Sequence, residues 1–270
     1  MISLVDAATL FQGSPRVYIL DARSETEFSK GHIAGAHPFH WRSHTQPKTA
    51  EIPYALLPME KIARSLAILG IQSQSKVVVY GNGDDGFGEE GWVIWLLTHL
   101  GHRGPIQLLR GGLEAWKAKG YPLSLGQKSQ DSKQIDYELA INAQVMANFN
   151  DISPPKDQPQ NPRVINAQLI DTRDLWERVR GKIPGAVSIH WKDFFAADGK
   201  SPLEPKKLRR LLEKKGIAPD KPCIYYCTGG IRSAWAWLVH TLAGFPTAQN
   251  YAGGMADYAV HTALKKSKFP

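Results

Sequence analysis

The residues best able to do covalent chemistry are two cysteines, Cys223 and Cys227, in the run Cys-Ile-Tyr-Tyr-Cys. Read as a strand, this run separates their Cα atoms by about 13 Å. A disulfide needs about 4.4–6.8 Å, so the two thiols do not pair. The nine histidines include none at metal-ligand spacing from a cysteine, so no metal is expected. Cys223, inside the apolar run, reads as a small core residue. Cys227 ends the run and is the candidate nucleophile.

The residues after Cys227 support that reading. Thr228, Gly229, Gly230 and Ile231 connect it to Arg232 and to a segment rich in Ala and Trp that reads as a helix. In open α/β sheets, ligands gather at the carboxyl ends of the strands, where this loop falls. The two glycines allow positive φ, so successive N–H groups can turn inward as an anion nest beside the positive end of the helix. A thiolate is stabilised there, and the thiolate is the reactive form. The competing reading, a second buried core cysteine, does not account for the Gly-Gly pair or for Arg232. Arg232 is expected to hold an anionic substrate through its rigid fork, or else to bond loop carbonyls. Arg173 stands four residues before Glu177, the spacing of a helical ion pair, which favours a structural role over substrate contact. Trp191 either walls the pocket or packs.

The elements that must position these residues occur twice. Leu20-Asp21-Ala22-Arg23 recurs as Ile170-Asp171-Thr172-Arg173. At the same offset Gly31-His32-Ile33-Ala34-Gly35-Ala36 recurs as Gly181-Lys182-Ile183-Pro184-Gly185-Ala186, and His40-Trp41 as His190-Trp191. Val77–Tyr80 then matches Cys223–Tyr226, and Gly111–Trp116 matches Gly253–Tyr258. Five ordered blocks imply a duplicated domain. In the second copy Gln168–Ile170 and Cys223–Tyr226 read as strands; 174–180, 206–215 and 232–243 read as helices. Ala143–Phe149 also reads as a helix. Alternation of this kind predicts an α/β fold, each copy a parallel-stranded sheet with helices on both faces. The polar stretch Leu125–Gln134 reads as a linker and Ile152–Pro162 as an insertion. The expected division is 1–124, a linker at 125–136, and 137–270.

The position matching Cys227 in the first copy is Gly81, and that copy has no thiol. Asp84, Asp85, Glu89 and Glu90 lie just beyond it and repel anions. The first copy is therefore expected to be catalytically silent, serving as scaffold and as one wall of a cleft between the copies. Gly81-Asn82-Gly83-Asp84-Asp85-Gly86 formally fits GxGxxG, but its two aspartates oppose a pyrophosphate. The four acids lack the spacing of a calcium loop.

Bulk properties narrow the classes further. The 270 residues are 43% hydrophobic and 21% charged, an ordinary globular balance. The longest nearly apolar stretch, 92–100, is far short of the roughly 20 residues a bilayer requires. The start, Met1-Ile2-Ser3-Leu4-Val5-Asp6, has no basic leader, and a cytoplasmic location is expected. A net charge of +8 invites an anionic partner. The most basic run, Lys206–Lys215, has leucines at helical spacing and reads as an amphipathic helix with a solvated face, so no nucleic-acid partner is expected.

The run Tyr226-Cys227-Thr228-Gly229-Gly230-Ile231-Arg232-Ser233 resembles the active-site loop of the rhodanese sulfurtransferases. The Asp-x-Arg, Gly-x-Ile-x-Gly-Ala and Gly-Gly-x-x-x-[Trp/Tyr] elements are similar to that family's other signatures. The resemblance spans nearly the whole chain and is to the tandem-domain members; Lys182 stands where the family usually has His, as His32 does in the first copy. Phosphatases sharing the fold resemble C-x5-R, whereas C-x4-R here makes a tighter loop suited to one sulfur. The resemblance implies a Cys227 persulfide, cradled by the N–H groups of Thr228, Gly229, Gly230, Ile231 and Arg232, and no cofactor. The implied donor is thiosulfate, with 3-mercaptopyruvate as the alternative, and the acceptor is cyanide or a thiol. A non-catalytic binding module of the same fold is the alternative of another class.

Overall fold

The computed structural model describes residues 1–13, 16–126, 135–152, 167–245 and 247–262. They form two compact units: Met1–His44, Leu57–Asn142 and Phe195–Pro202 in one, and Thr45–Leu56, Ala143–Phe194 and Leu203–Pro270 in the other. Each unit thus includes one short segment that lies, in sequence, within the other copy.

The first unit runs β1 (Ile2–Val5), α1 (Ala7–Gln12), β2 (Val17–Asp21), α2 (Glu25–Lys30), β3 (His32–Ile33), β4 (Ala36–Pro38), α3 (Met59–Ile68), β5 (Lys76–Tyr80), α4 (Glu89–His99), β6 (Ile106–Leu109), α5 (Gly112–Ala118) and β7 (Leu123–Ser124). Its main sheet has the order β1-β6-β5-β2-β4, parallel throughout. The second unit contains β8 (Met146–Ala147), α6 (Phe149–Ile152), β9 (Gln168–Asp171), α7 (Leu175–Arg178), β10 (Val187–Ser188), α8 (Pro205–Lys214), β11 (Cys223–Tyr226), α9 (Ile231–Leu242), β12 (Ala248–Tyr251) and α10 (Gly254–His261). Its sheet has the order β8-β12-β11-β9-β10, again all parallel. The two orders are the same strand for strand, as duplication requires.

The central strands β5 and β11 are buried along nearly their whole length, and the helix after each is apolar almost all round. Trp92 to Leu97 of α4 and Ala234 to Val239 of α9 are fully inside, as helices without a polar face must be. In α8, Leu208 and Leu212 are buried while Lys206, Lys207, Arg210 and Lys214 face solvent, in line with the amphipathic reading.

One helix expected from the sequence is absent. Over 143–149 the chain instead makes a 3-10 turn (Ala143–Val145), the edge strand β8, and then α6. Met146 and Ala147 pair with Asn250 and Tyr251, which outweighs local helix propensity. Asn148 then turns the chain, its side chain accepting from the Asn150 N–H at 2.9 Å. Most of the stretches read as linker and insertion lies outside the described residues.

Candidate active site

Cys227 is placed at the carboxyl end of the central strand β11 by a knot of buried polar groups. Arg173 donates to both Asp171 carboxylate oxygens (3.0 and 2.6 Å) and to the Gly181 carbonyl (2.8 Å). Tyr226 donates its hydroxyl to the same carboxylate at 2.9 Å and accepts from the Ile183 N–H. This corrects the ion pair expected for Arg173 and tells against substrate contact, the less favoured of its two readings. Its ion-pair partner is Asp171, not Glu177, and its guanidinium is consumed inside the fold, 1% exposed. Arg23, Asp21, Gly31 and Tyr80 repeat the same bonds in the copy that has no thiol, which marks the knot as architecture rather than substrate contact.

The loop after Cys227 is shaped by its neighbour α10. The Cys227 and Thr228 carbonyls accept from the N–H groups of Met255 (2.8 Å) and Ala256 (3.0 Å). A trans peptide directs the next N–H opposite to the carbonyl, so those of Thr228 and Gly229 turn away from α10. The Gly230 carbonyl is held by Asn250 Nδ2 at 3.0 Å, and Ser233 fixes Asn250 from behind. Among the described residues, no group accepts from the N–H of Thr228, Gly229, Gly230, Ile231 or Arg232. Five consecutive donors beside one thiol, at the start of the twelve-residue helix α9, are an anion-binding arrangement.

The two loop glycines serve different ends. Gly230 has φ +83 and opens α9 from the left-handed region. Gly229 does not have positive φ; it is required because a Cβ there would lie 2.6 Å from Tyr54 Cβ. Gly254 is needed on both grounds: its φ is +55 and an added Cβ would meet the Cys227 carbonyl oxygen at 2.5 Å. Gly254→Ala is therefore expected to cost about 2–4 kcal/mol in urea unfolding. Gly185→Ala, with φ +79 and open space around it, should cost only about 1 kcal/mol. Equal losses would show that backbone conformation alone, not support of the loop, governs the site.

Arg232 also departs from expectation. Its Nη1 donates to Asp174 (2.7 Å) and Glu177 (2.6 Å), and its Nη2 donates to Glu177 (2.8 Å) and to the Thr228 hydroxyl (3.2 Å). Thr228 in turn donates to Glu177. One cation against two carboxylates leaves the cluster without a surplus positive charge for a substrate. Burial opposes the charge of both partners, yet their bond prevails. The Arg232 pKa is raised, with the Cys227 charge also contributing, and the Glu177 carboxyl is held down at about 2. Arg232 thus positions the loop, and the anion is left to the backbone donors.

The remaining candidates differ in their surroundings. Cys227 and Cys223 are both free and 1% exposed. Burial pushes the Cys223 thiol up to about 12, and it lies against Gln168 and the Lys221 carbonyl, an inert setting. Trp191 and its counterpart Trp41 are buried alike, at the head of matching 3-10 turns. Lys182, in place of the usual His, donates to the Ala186 carbonyl at 2.9 Å and closes its own turn.

In the first unit, Gly81 accepts from the Leu113 N–H as Cys227 does from Met255. The loop beyond is longer, and the helix begins at Gly88 (φ +65), so Glu90 takes the place held by Arg232. Its Oε2 would lie 2.2 Å from a Cβ built on Gly81. The first copy is thus closed at this position by a carboxyl group as well as lacking a thiol. Asp84 and Asp85, expected to repel anions, pair with Lys200 of the same unit.

Sequence reasoning did not find Tyr54, Asp174, Glu177 as the partner of Arg232, or the plug Glu90. Asp174 and Glu177 carried a signal, the D-x-x-E spacing of a helix start, where the Glu177 side chain accepts from the Asp174 N–H at 3.0 Å. Tyr54 carried none.

Proteins named as sulfurtransferases are among those this chain resembles. The profile of the rhodanese-like domain matches residues 4–119 and 156–261. A thiosulfate sulfurtransferase of Azotobacter vinelandii is 28% identical over 268 residues, covering 92% of this chain and 90% of that one. A probable 3-mercaptopyruvate sulfurtransferase of Pseudomonas aeruginosa is also 28% identical, covering 90% and 89%. Among solved structures, SseA of Escherichia coli, described as a 3-mercaptopyruvate sulfotransferase, superposes with a TM-score of 0.78 at 24% identity, covering 93% of this chain and 98% of that one. With one match to each copy of the repeat, the same strand order in both sheets and a cysteine at the head of the second, the chain belongs to the rhodanese-like family and carries two of its domains.

Proposed function

We propose that the chain is a sulfurtransferase that carries a sulfane sulfur as a persulfide on Cys227, with thiosulfate as donor. The observation that carries this reading is the run of five unengaged N–H groups from Thr228 to Arg232 around a single thiol. In the first half-reaction the Cys227 thiolate attacks the outer sulfur of thiosulfate. A Cys–S bond forms, the S–S bond of the donor breaks, and sulfite leaves with the electron pair. The persulfide carries one negative charge, which the inward donors stabilise in a water-poor site. In the second half-reaction cyanide or a thiolate attacks the outer sulfur, and the Cys227 thiolate leaves. The kinetics are ping-pong.

Arg232 does not favour thiosulfate by its charge, because that charge is spent on Asp174 and Glu177. Support for thiosulfate comes from the names of relatives such as the Azotobacter protein, and 3-mercaptopyruvate is the second reading on the same ground. Two free, buried thiols suit a reducing compartment such as the cytoplasm. Among the described residues no helix is long and apolar enough to cross a membrane.

The test is intact mass after each donor is added separately. Thiosulfate is expected to add one sulfur atom, removed again by cyanide with release of thiocyanate. Loading by mercaptopyruvate alone would assign the second donor. No gain from either would overturn the persulfide reading and favour a binding module.

A further inference from the structure

Within the second unit, residues 45–56 form a lobe closed at its base by an antiparallel bridge between Thr45 and Leu56. Gln46 donates to the Ala55 carbonyl at 2.7 Å and Tyr54 to the Gln46 carbonyl at 3.2 Å. Tyr54 has φ +65, a left-handed conformation that is strained for an aromatic residue. The conformation sets Tyr54 directly on the persulfide loop, so close that Gly229 has room for no side chain.

Beside this contact lies a cavity of about 300 Å³, bounded by Thr228, by the α10 face of Ala256, Ala259 and Val260, and by the lobe. A water occupies about 30 Å³ of liquid, so the space exceeds what thiosulfate or cyanide requires. Its walls next to Thr228 are apolar. On the lobe, Lys48 and Glu51 also line it; both are exposed, and among the described residues neither has an ion-pair partner. With Arg232 neutralised, Lys48 is the one cation among the lining residues.

We propose that the lobe selects the sulfur acceptor, a small organic thiol bearing a carboxylate: Lys48 engages the carboxylate while Tyr54 and the α10 face guide the thiol toward Cys227. The assignment rests on the persulfide reading above. In the step, the acceptor thiolate attacks the outer sulfur of the Cys227 persulfide. The new S–S bond gives the acceptor persulfide, the Sγ–S bond breaks, and Cys227 departs as thiolate, so charge and sulfur balance without a further reactant. Tyr54 and Lys48 are specificity determinants rather than catalytic residues.

The experiment uses enzyme loaded with thiosulfate, with loading verified by intact mass, and compares 3-mercaptopropionate with 2-mercaptoethanol as acceptors. These probes share a thiol and a two-carbon stem and differ in the carboxylate. In Lys48→Glu the ratio of their kcat/KM values is expected to fall about five- to tenfold against wild type. Lys206→Glu, an equal charge change on the exposed face of α8, should leave that ratio in place. Tyr54→Gly is expected to lower kcat/KM for both organic thiols more than for cyanide. A ratio unmoved in Lys48→Glu, or moved as far by Lys206→Glu, would overturn the assignment. Failure to load any sulfur is a separate result and would overturn the persulfide reading instead.

Discussion

Replacing Cys227 by serine should abolish sulfur transfer, lowering kcat/KM by about 10⁴-fold or more. The loss is chemical rather than structural. A serine hydroxyl is not ionised at neutral pH and forms no persulfide, so neither half-reaction has a carrier. The side chain is small and sits among backbone donors that a hydroxyl can also use, so folding should change by no more than about 1–2 kcal/mol. Three measurements separate the possibilities: turnover with thiosulfate and cyanide, mass gain after thiosulfate alone, and thermal midpoint. Cys223→Ser is the matched control. That thiol is buried in β11 and its pKa is pushed up to about 12 by burial, so its loss should leave mass gain intact. Turnover retained in Cys227→Ser, or mass gain lost only in Cys223→Ser, would move the nucleophile.

The second large effect lies in the copy without a thiol. Glu90 is fully buried, and its Oε2 has no hydrogen-bond partner among the described residues. Burial, with the nearby Glu89 charge, raises its pKa from the usual 4.5 to about 8. The folded state therefore holds a proton on Glu90 that the unfolded state releases above about pH 4.5. The stability tied to that proton is complete below pH 4.5 and is lost as pH rises toward 8. Each pH unit in that window weakens folding by up to about 1.4 kcal/mol, a total on the order of 4 kcal/mol. Glu90→Gln stays neutral throughout. Its stability relative to wild type should be unchanged near pH 5 and gain a few kcal/mol by pH 8, measured by urea unfolding.

The comparison with Glu90→Gln is needed because other groups titrate nearby. His44, His99 and His102 have pKa values lowered by burial, so the stability they confer is present above about 6.5 and lost as pH falls below it. Glu177, held at about 2, loses its contribution only as pH falls through 4.5 toward 2. Neither changes between wild type and Glu90→Gln. A difference between the two proteins that does not vary with pH would mean that Glu90 is ionised in the folded state.

Much of the site was legible in the residue order, because local chemistry leaves local marks. An apolar run ending in Cys227, two glycines and a helix start specify a strand–loop–helix turn, since few backbones other than one with a left-handed step satisfy that order. The repeat was legible for the same reason: Asp-x-Arg with a Gly beyond it closes one buried knot, and it does so in both copies with the same bonds. Where local propensity alone was used, at 143–149, it misled, because pairing with β12 decides that segment.

The sequence by itself singled out the candidate nucleophile and the copy that lacks a thiol, and it determined the duplication and the parallel α/β architecture, all properties of neighbouring residues or of periodic pattern. Only the tertiary structure decided what surrounds Cys227. It assigned Arg232 to Asp174 and Glu177, which lie more than fifty positions away in the chain, and so removed it as a free anion holder. It brought Tyr54 onto Gly229 from a segment with no motif. It put Glu90 against Gly81, turning an absent thiol into a filled site. Charge pairing and close packing act through space and are blind to separation along the chain. The thiol could therefore be named from its neighbours in sequence, whereas its charge balance and its access could not.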